Sequence, residues 1–153
     1  MRALVVGLGN MGRSHALALH RNTGAVLVGS VNRLPVDLPP ALKHYPIFES
    51  FSTALLATRP DLVCIATYSD SHATLAIAAL EAGAHVFVEK PLATSLAEAQ
   101  RVVAKAQDTG RKLVVGYISR DHPSWQCLIA QARELGGPYV FRMNLNQQSA
   151  GAA

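Results

Sequence analysis

Three glycines in a short run are the first residues here whose spacing implies chemistry. Gly7-x-Gly9-x-x-Gly12 follows the unbroken apolar residues 3–6 and precedes an Ala/Leu/His run reaching about residue 22. Between a buried strand and a helix, Gly7 permits a tight turn and Gly9 lets the backbone approach a pyrophosphate. Gly12 lets helix and strand pack closely, and the helix start at Asn10 and Met11 offers unpaired N–H groups to phosphates. An ordinary glycine-rich junction has the same letters. The placement after one strand, before one helix, and with a second strand at residues 25–31 supports the nucleotide-binding reading.

Other polar groups fall at strand ends. Asn32 and Arg33 close the second strand, where an adenosine ribose would lie. An Asp or Glu there holds a free 2′-hydroxyl, whereas Arg meets a 2′-phosphate. This sequence has Asn32 and then Arg33, so the reading is NADP in preference to NAD; the alternative leaves Arg33 as a plain surface residue. Thr67 and Tyr68 end another strand and can line a cofactor cleft, with His72 one turn on. His72 contacts a ribose or nicotinamide, or, as a helix-start histidine, faces solvent or satisfies local backbone. Glu89-Lys90-Pro91 follows a further strand. Lys90 either donates to a substrate hydroxyl and assists proton transfer, or pairs with Glu89 on an exposed loop.

The elements that must position these groups alternate along the chain. Residues 10–22, 50–58, about 71–82 and 95–108 read as helices. Residues 3–6, 25–31, 45–48, 62–66, 85–88 and 112–116 read as strands, and the proline-rich 34–44 as an irregular connection. Asp70 or Ser71 is expected to cap the third helix, and Ser95 with Glu98 to form a capping box at the fourth. This βα repetition predicts an α/β, doubly wound, mostly parallel Rossmann-type sheet with helices on both faces. In such a sheet, residues 67–72, 89–91 and 117–120 meet at the C-terminal edge, where ligands lie. Beyond them, 121–135 reads as a helix whose stripe of Trp125, Leu128, Ile129 and Leu135 suits core packing, or docking where a second domain is absent. Residues 139–145 read as one more strand, and 146–153 as a small, polar tail.

Composition narrows the function class. The chain has 153 residues, 50% of them hydrophobic and 16% charged, which fits a covered α/β sheet and not a disordered segment. The net charge of +4 carries no Lys/Arg run or aromatic ladder, so no nucleic-acid partner is expected. Glycines interrupt the apolar start too early for a signal peptide, and no run approaches a membrane span. Cys64 in a strand and Cys127 in a helix read as unpaired residues in a reducing compartment, so a cytoplasmic location is expected. The scattered histidines have no metal-ligand spacing, and no metal is expected.

Taken together, Gly7-Leu8-Gly9-Asn10-Met11-Gly12-Arg13, Ala66-Thr67-Tyr68-Ser69-Asp70-Ser71-His72 and Glu89-Lys90-Pro91-Leu92-Ala93 resemble the N-terminal half of the glucose–fructose oxidoreductase and inositol dehydrogenase family. Gly116-Tyr117-Ile118-Ser119-Arg120 and Leu135-Gly136-Gly137-Pro138 extend the resemblance over nearly the whole chain. It implies that Gly7, Gly9, Asn10, Met11 and Gly12 hold the pyrophosphate, and that Asn32 and Arg33 read the adenosine ribose. Thr67, Tyr68 and His72 would border the dinucleotide, and Glu89 and Lys90 would stand near nicotinamide ribose and substrate, with Lys90 the active-site lysine. The implied reaction is hydride transfer between NAD(P) and a secondary alcohol or ketone of a sugar, cyclitol or related polyol.

The resemblance also implies a second domain that holds substrate, supplies an acid–base residue and commonly forms the oligomer interface. The expected division is a dinucleotide-binding domain at 1–120 and, at 121–153, only the start of that second domain. The sequence therefore reads as stopping early, with a module inactive unless completed by further chain, a homo-oligomer or a complementing chain. The other classes are a non-catalytic dinucleotide-binding or regulatory protein, and a structural protein with an unused site.

Overall fold

The computed structural model describes residues 1–144. The chain divides into two compact units, Met1–Tyr117 and Ile118–Ala153. The first unit alternates strand and helix: β1 (Arg2–Val6), α1 (Asn10–Arg21), β2 (Val26–Val31), β3 (Ile47–Phe48), α2 (Phe51–Thr58), β4 (Leu62–Ile65), α3 (Ser69–Glu81), β5 (His85–Val88), α4 (Leu96–Thr109) and β6 (Leu113–Val115). A single 3₁₀ turn at Pro40–Leu42 interrupts the proline-rich connection.

All pairings are parallel, and the strand order is β3-β2-β1-β4-β5-β6. The order reverses between β1 and β4, which opens a crevice at their C-terminal ends. This is the doubly wound Rossmann-type sheet that the repetition predicts.

Alternate residues of each strand face opposite layers, so the continuous apolar runs of β1 and β4 feed two cores. Leu4, Val6, Val63, Ile65, Val86 and Val88 pack with Ala73, Ala76 and Leu80 of α3 and Val102 of α4. Val5, Leu27 and Cys64 pack on the opposite face with Ala16 of α1 and with Leu38 and Leu42 of the proline-rich connection. The alanines of α3 let that helix lie close on the sheet. Each buried Leu or Val side chain contributes about 1.5–3 kcal/mol relative to exposure.

Several helix ends differ from the sequence expectation. Helix α3 starts at Ser69 with Tyr68 as its N-cap and no side-chain cap. Neither Asp70 nor Ser71 takes that role, and the Ser71 hydroxyl bonds Thr67 Oγ1 and the Tyr68 carbonyl instead. At α4 half of the capping box forms. Ser95 Oγ accepts from the Glu98 N–H, but the Glu98 carboxylate reaches Thr94 N–H and Oγ1.

In the second unit, α5 (Pro123–Leu135) is capped by His122, whose Nδ1 accepts from the Ser124 N–H at 3.2 Å. No residue of α5 is buried, and Leu128, Ile129 and Leu135 are all exposed. The apolar stripe read as core packing is therefore a surface here. Trp125 does meet Phe141, with ring centroids 6.0 Å apart. Residues 139–144 form no strand, and residue 145 lies outside the described residues, as does the polar tail. A lone strand has no ladder to join, and the described residues of this unit supply no partner.

Candidate functional site

Ladder hydrogen bonds run past the strand ends and fix the backbone of the segments beyond them. Ala66 N–H donates to the Val6 carbonyl at 2.8 Å, Glu89 N–H to Ile65 at 2.9 Å and Gly116 N–H to Val88 at 2.8 Å. On the other side, Gly7 N–H donates to Val31 and Asn32 N–H to Phe48, both at 2.9 Å. The sheet edge is thus a rigid base for the polar groups that follow it.

The glycine turn is built from contacts only glycine permits. Gly7 has φ +87°, and a Cβ there would sit 2.6 Å from the Ala66 carbonyl oxygen. A Cβ on Gly12 would fall 1.7 Å from the Gly7 carbonyl oxygen, so Gly12 seats the helix on the turn more than on the strand. Gly9 differs: a Cβ there would meet nothing within 4 Å and would point into open space. Gly9 is also the N-cap of α1, with no side-chain cap and no acidic residue in the first turn. Uncapped amides, a favourable helix dipole and a bare backbone suit an anion.

A cleft of about 680 Å³ opens at this turn, walled by Gly7, Leu8, Gly9, Asn32, Arg33, Thr67 and Tyr68 among others. Of the predicted site residues, Gly7, Gly9, Asn32, Arg33, Thr67 and Tyr68 are thus brought together. Asn10, Met11, Gly12, His72, Glu89 and Lys90 do not line the cleft. Asn32 has a further role, because its Oδ1 accepts from Leu8 N–H at 3.0 Å and its Nδ2 donates to the Leu34 carbonyl at 2.7 Å. One acceptor and one donor of that amide are thus spent on holding the turn. Glu49, Phe51 and Leu75 also line the cleft, and sequence reasoning did not single them out. Glu49 directly follows a two-residue strand, which gives little periodicity to read.

Behind the cleft, two histidines brace the segment carrying Lys90. His72 is 1% exposed, with Nδ1 2.7 Å from the Pro91 carbonyl oxygen and Nε2 3.1 Å from that of Thr67. Its ring faces backbone on both sides and does not open onto the cleft. Of the roles read from sequence, facing solvent is overturned by this burial, and satisfying local backbone is the one the geometry supports.

His15 on α1, read as one of several scattered histidines, lies with Nε2 2.7 Å from Oε1 of the buried Glu89. Glu89 is therefore paired with His15, while Lys90 beside it is exposed. Gly116 leaves space for this carboxylate, since a Cβ there would lie 3.3 Å from Glu89 Oε2. Burial, and then the Glu89 charge, push the Cys64 thiol up to about 12.

A family model described as an oxidoreductase family with an NAD-binding Rossmann fold matches residues 1–117. The chain belongs to that family. It is 36% identical over 129 residues to 4-carboxy-2-hydroxymuconate-6-semialdehyde dehydrogenase of Sphingobium, covering 82% of this chain and 41% of that protein. Its fold is similar to UDP-N-acetylglucosamine 3-dehydrogenase of Acidithiobacillus ferrooxidans, with TM-score 0.74 and 32% identity over 86% of this chain and 43% of that one. It is also similar to scyllo-inositol dehydrogenase of Lactobacillus casei with bound NAD(H) and scyllo-inositol, with TM-score 0.78 and 26% identity, covering 87% and 42% of the two chains. The chain thus spans about two fifths of the length of the relatives it matches. Among the described residues no helix is long and apolar enough to cross a membrane.

Proposed function

We propose that this chain is the dinucleotide-binding module of an oxidoreductase acting on a secondary alcohol or ketone of a sugar, cyclitol or related polyol. The observation that carries the reading is the bare Gly9 backbone at an uncapped helix start, opening on a cleft at the point where strand order reverses. In this reading the backbone of Gly7 and Gly9 and the α1 start at Asn10 and Met11 hold the pyrophosphate, while Gly12 seats the helix on the turn. Arg33 meets the adenosine ribose and favours NADP over NAD, while Thr67 and Tyr68 border the dinucleotide. When bound, the nicotinamide supplies or accepts the hydride.

The residues of this chain do the rest of what its half of the site requires. The ladder bonds and the two histidines hold the 89–91 segment still, which keeps Lys90 at the sheet edge. Lys90 then hydrogen-bonds the substrate oxygen, giving it a proton when the ketone is reduced and, as the neutral amine, taking that proton when the alcohol is oxidised. Substrate must be fixed against the nicotinamide for hydride transfer, and this demands contacts from both sides. We assign those contacts, and a second acid–base group, to a domain of which 121–153 is the start, supplied by further chain or by a complementing or identical chain. Relatives named for inositol and for a UDP-sugar support the polyol class. A cytoplasmic setting agrees with two unpaired cysteines.

Calorimetric titration of the chain with NADPH and then NADH tests the proposal. Micromolar binding of NADPH, with weaker NADH, is the expected result. Binding of neither by a folded sample would overturn the dinucleotide reading, and the reverse preference would overturn the role of Arg33 alone.

A further inference from the structure

The ribose end of the cleft lacks the acid normally found at the end of β2, where Asn32 stands instead. Asn32 is partly committed to the Leu8 amide and the Leu34 carbonyl. Two carboxylates nevertheless line the same cleft: Asp70 in the first turn of α3, beyond β4, and Glu49, which leaves the end of β3, the strand beside β2. Val31 pairs with Phe48, and Asn32 N–H donates to the Phe48 carbonyl at 2.9 Å. Glu49 therefore directly follows β3, and Arg33 is the second residue past β2, on adjoining strands about 4.8 Å apart. Neither side chain is committed to an ion pair among the described residues.

We propose that Glu49 is the acidic reader of the adenosine ribose and that, against Arg33, it sets the balance between NAD and NADP. The inference rests on the dinucleotide reading above. A carboxylate accepts hydrogen bonds from a free ribose diol, and it repels a 2′-phosphate bearing nearly two negative charges. Arg33 does the opposite: it gains from the phosphate and little from the diol. Because both groups are exposed at the cleft, water and salt screen them, and the discrimination is moderate. The acid stands at the end of β3, one strand outward from the end of β2.

The test is calorimetric titration of the chain, of Glu49→Gln and of Arg33→Gln with NADH and NADPH. Glu49→Gln should bind NADPH about fivefold more tightly and NADH more weakly, with Arg33→Gln shifting the ratio the other way by a similar factor. An unchanged NADPH-to-NADH ratio in Glu49→Gln, with the parent chain still binding either cofactor, overturns the role of Glu49 and leaves the dinucleotide reading intact. Binding of neither cofactor by the folded parent overturns the dinucleotide reading and this inference with it.

Discussion

His15 Nε2 lies 2.7 Å from Glu89 Oε1, joining the helix that carries the glycine turn to the strand end that carries Lys90. The Glu89 residue is 8% exposed, and the His15 ring rests edge-on against Phe87 with centroids 5.1 Å apart. Removing the imidazole leaves a buried carboxylate without that partner, which costs about 1–3 kcal/mol. His15→Ala and Glu89→Gln should each unfold at lower urea, and their double variant should lose much less than the sum. Strictly additive losses in the double-mutant cycle would show that the two groups are not coupled.

Gly9 and Gly12 separate binding from folding. A methyl on Gly12 collides with the Gly7 carbonyl oxygen at 1.7 Å, whereas one on Gly9 enters open space. Gly12→Ala should therefore cost about 3 kcal/mol or more in stability. Gly9→Ala should melt close to the parent chain yet bind NADH about tenfold more weakly, because a methyl fills the room the pyrophosphate needs. Thermal melts and titration on the same samples check both. Equal affinity in Gly9→Ala would remove Gly9 from the phosphate site.

The two thiols should react in sequence. Cys127 is exposed, while Cys64 is buried and pushed up to about 12 by its apolar surroundings and by Glu89. Since the thiolate is the nucleophile, Cys64 at pH 8 is both uncharged and shielded. A chromogenic disulfide reagent should titrate one thiol quickly under native conditions and the second only after denaturant is added. Fast reaction of both would mean that the core on the Cys64 face opens readily.

Acid should act at the start of α4. The Glu98 carboxyl is held below its ordinary value, first by the Thr94 hydroxyl, which donates to Oε2 at 2.9 Å. The folded value lies below the unfolded one, so this stabilisation is full above about pH 4.5 and is lost as pH falls through the folded value. Thr94→Val should reduce the difference in stability between pH 6 and pH 3. Urea midpoints at the two pH values measure it, and an unchanged difference would place the acid sensitivity elsewhere.

How much of this was legible in sequence follows from how local each signal is. Strand β1, the glycine turn and the start of α1 lie within 12 consecutive residues, and their pattern alone gives the strand–turn–helix that opens the fold. The βα alternation then fixes a parallel sheet, because parallel neighbours require crossovers. His15 and Glu89 lie 74 residues apart, and nothing in either neighbourhood announces the other. The Asn32 bond to Leu8 is equally non-local, which is why an apparent ribose reader is in part a brace for the turn. At α3 the cap differs from the expectation because the helix already starts at Ser69, and the Ser71 hydroxyl meets the Tyr68 carbonyl and the Thr67 hydroxyl. Residues 139–144 carry strand-forming side chains, but strands require partners, and composition does not supply them.

His72 offers a last test, because its two possible roles predict different outcomes. If its ring braces the loops, replacing it removes the group that lies against the Thr67 and Pro91 carbonyls from a site that is 1% exposed. His72→Leu should then lose about 2 kcal/mol or more, since buried polar groups left without partners are costly. Affinity for NADH should fall with it, because Thr67 borders the cleft and its carbonyl would no longer be held. Stability equal to the parent chain, with affinity alone reduced, would instead put the ring in contact with the dinucleotide. Urea unfolding and titration of the same variant decide between a brace and a ligand.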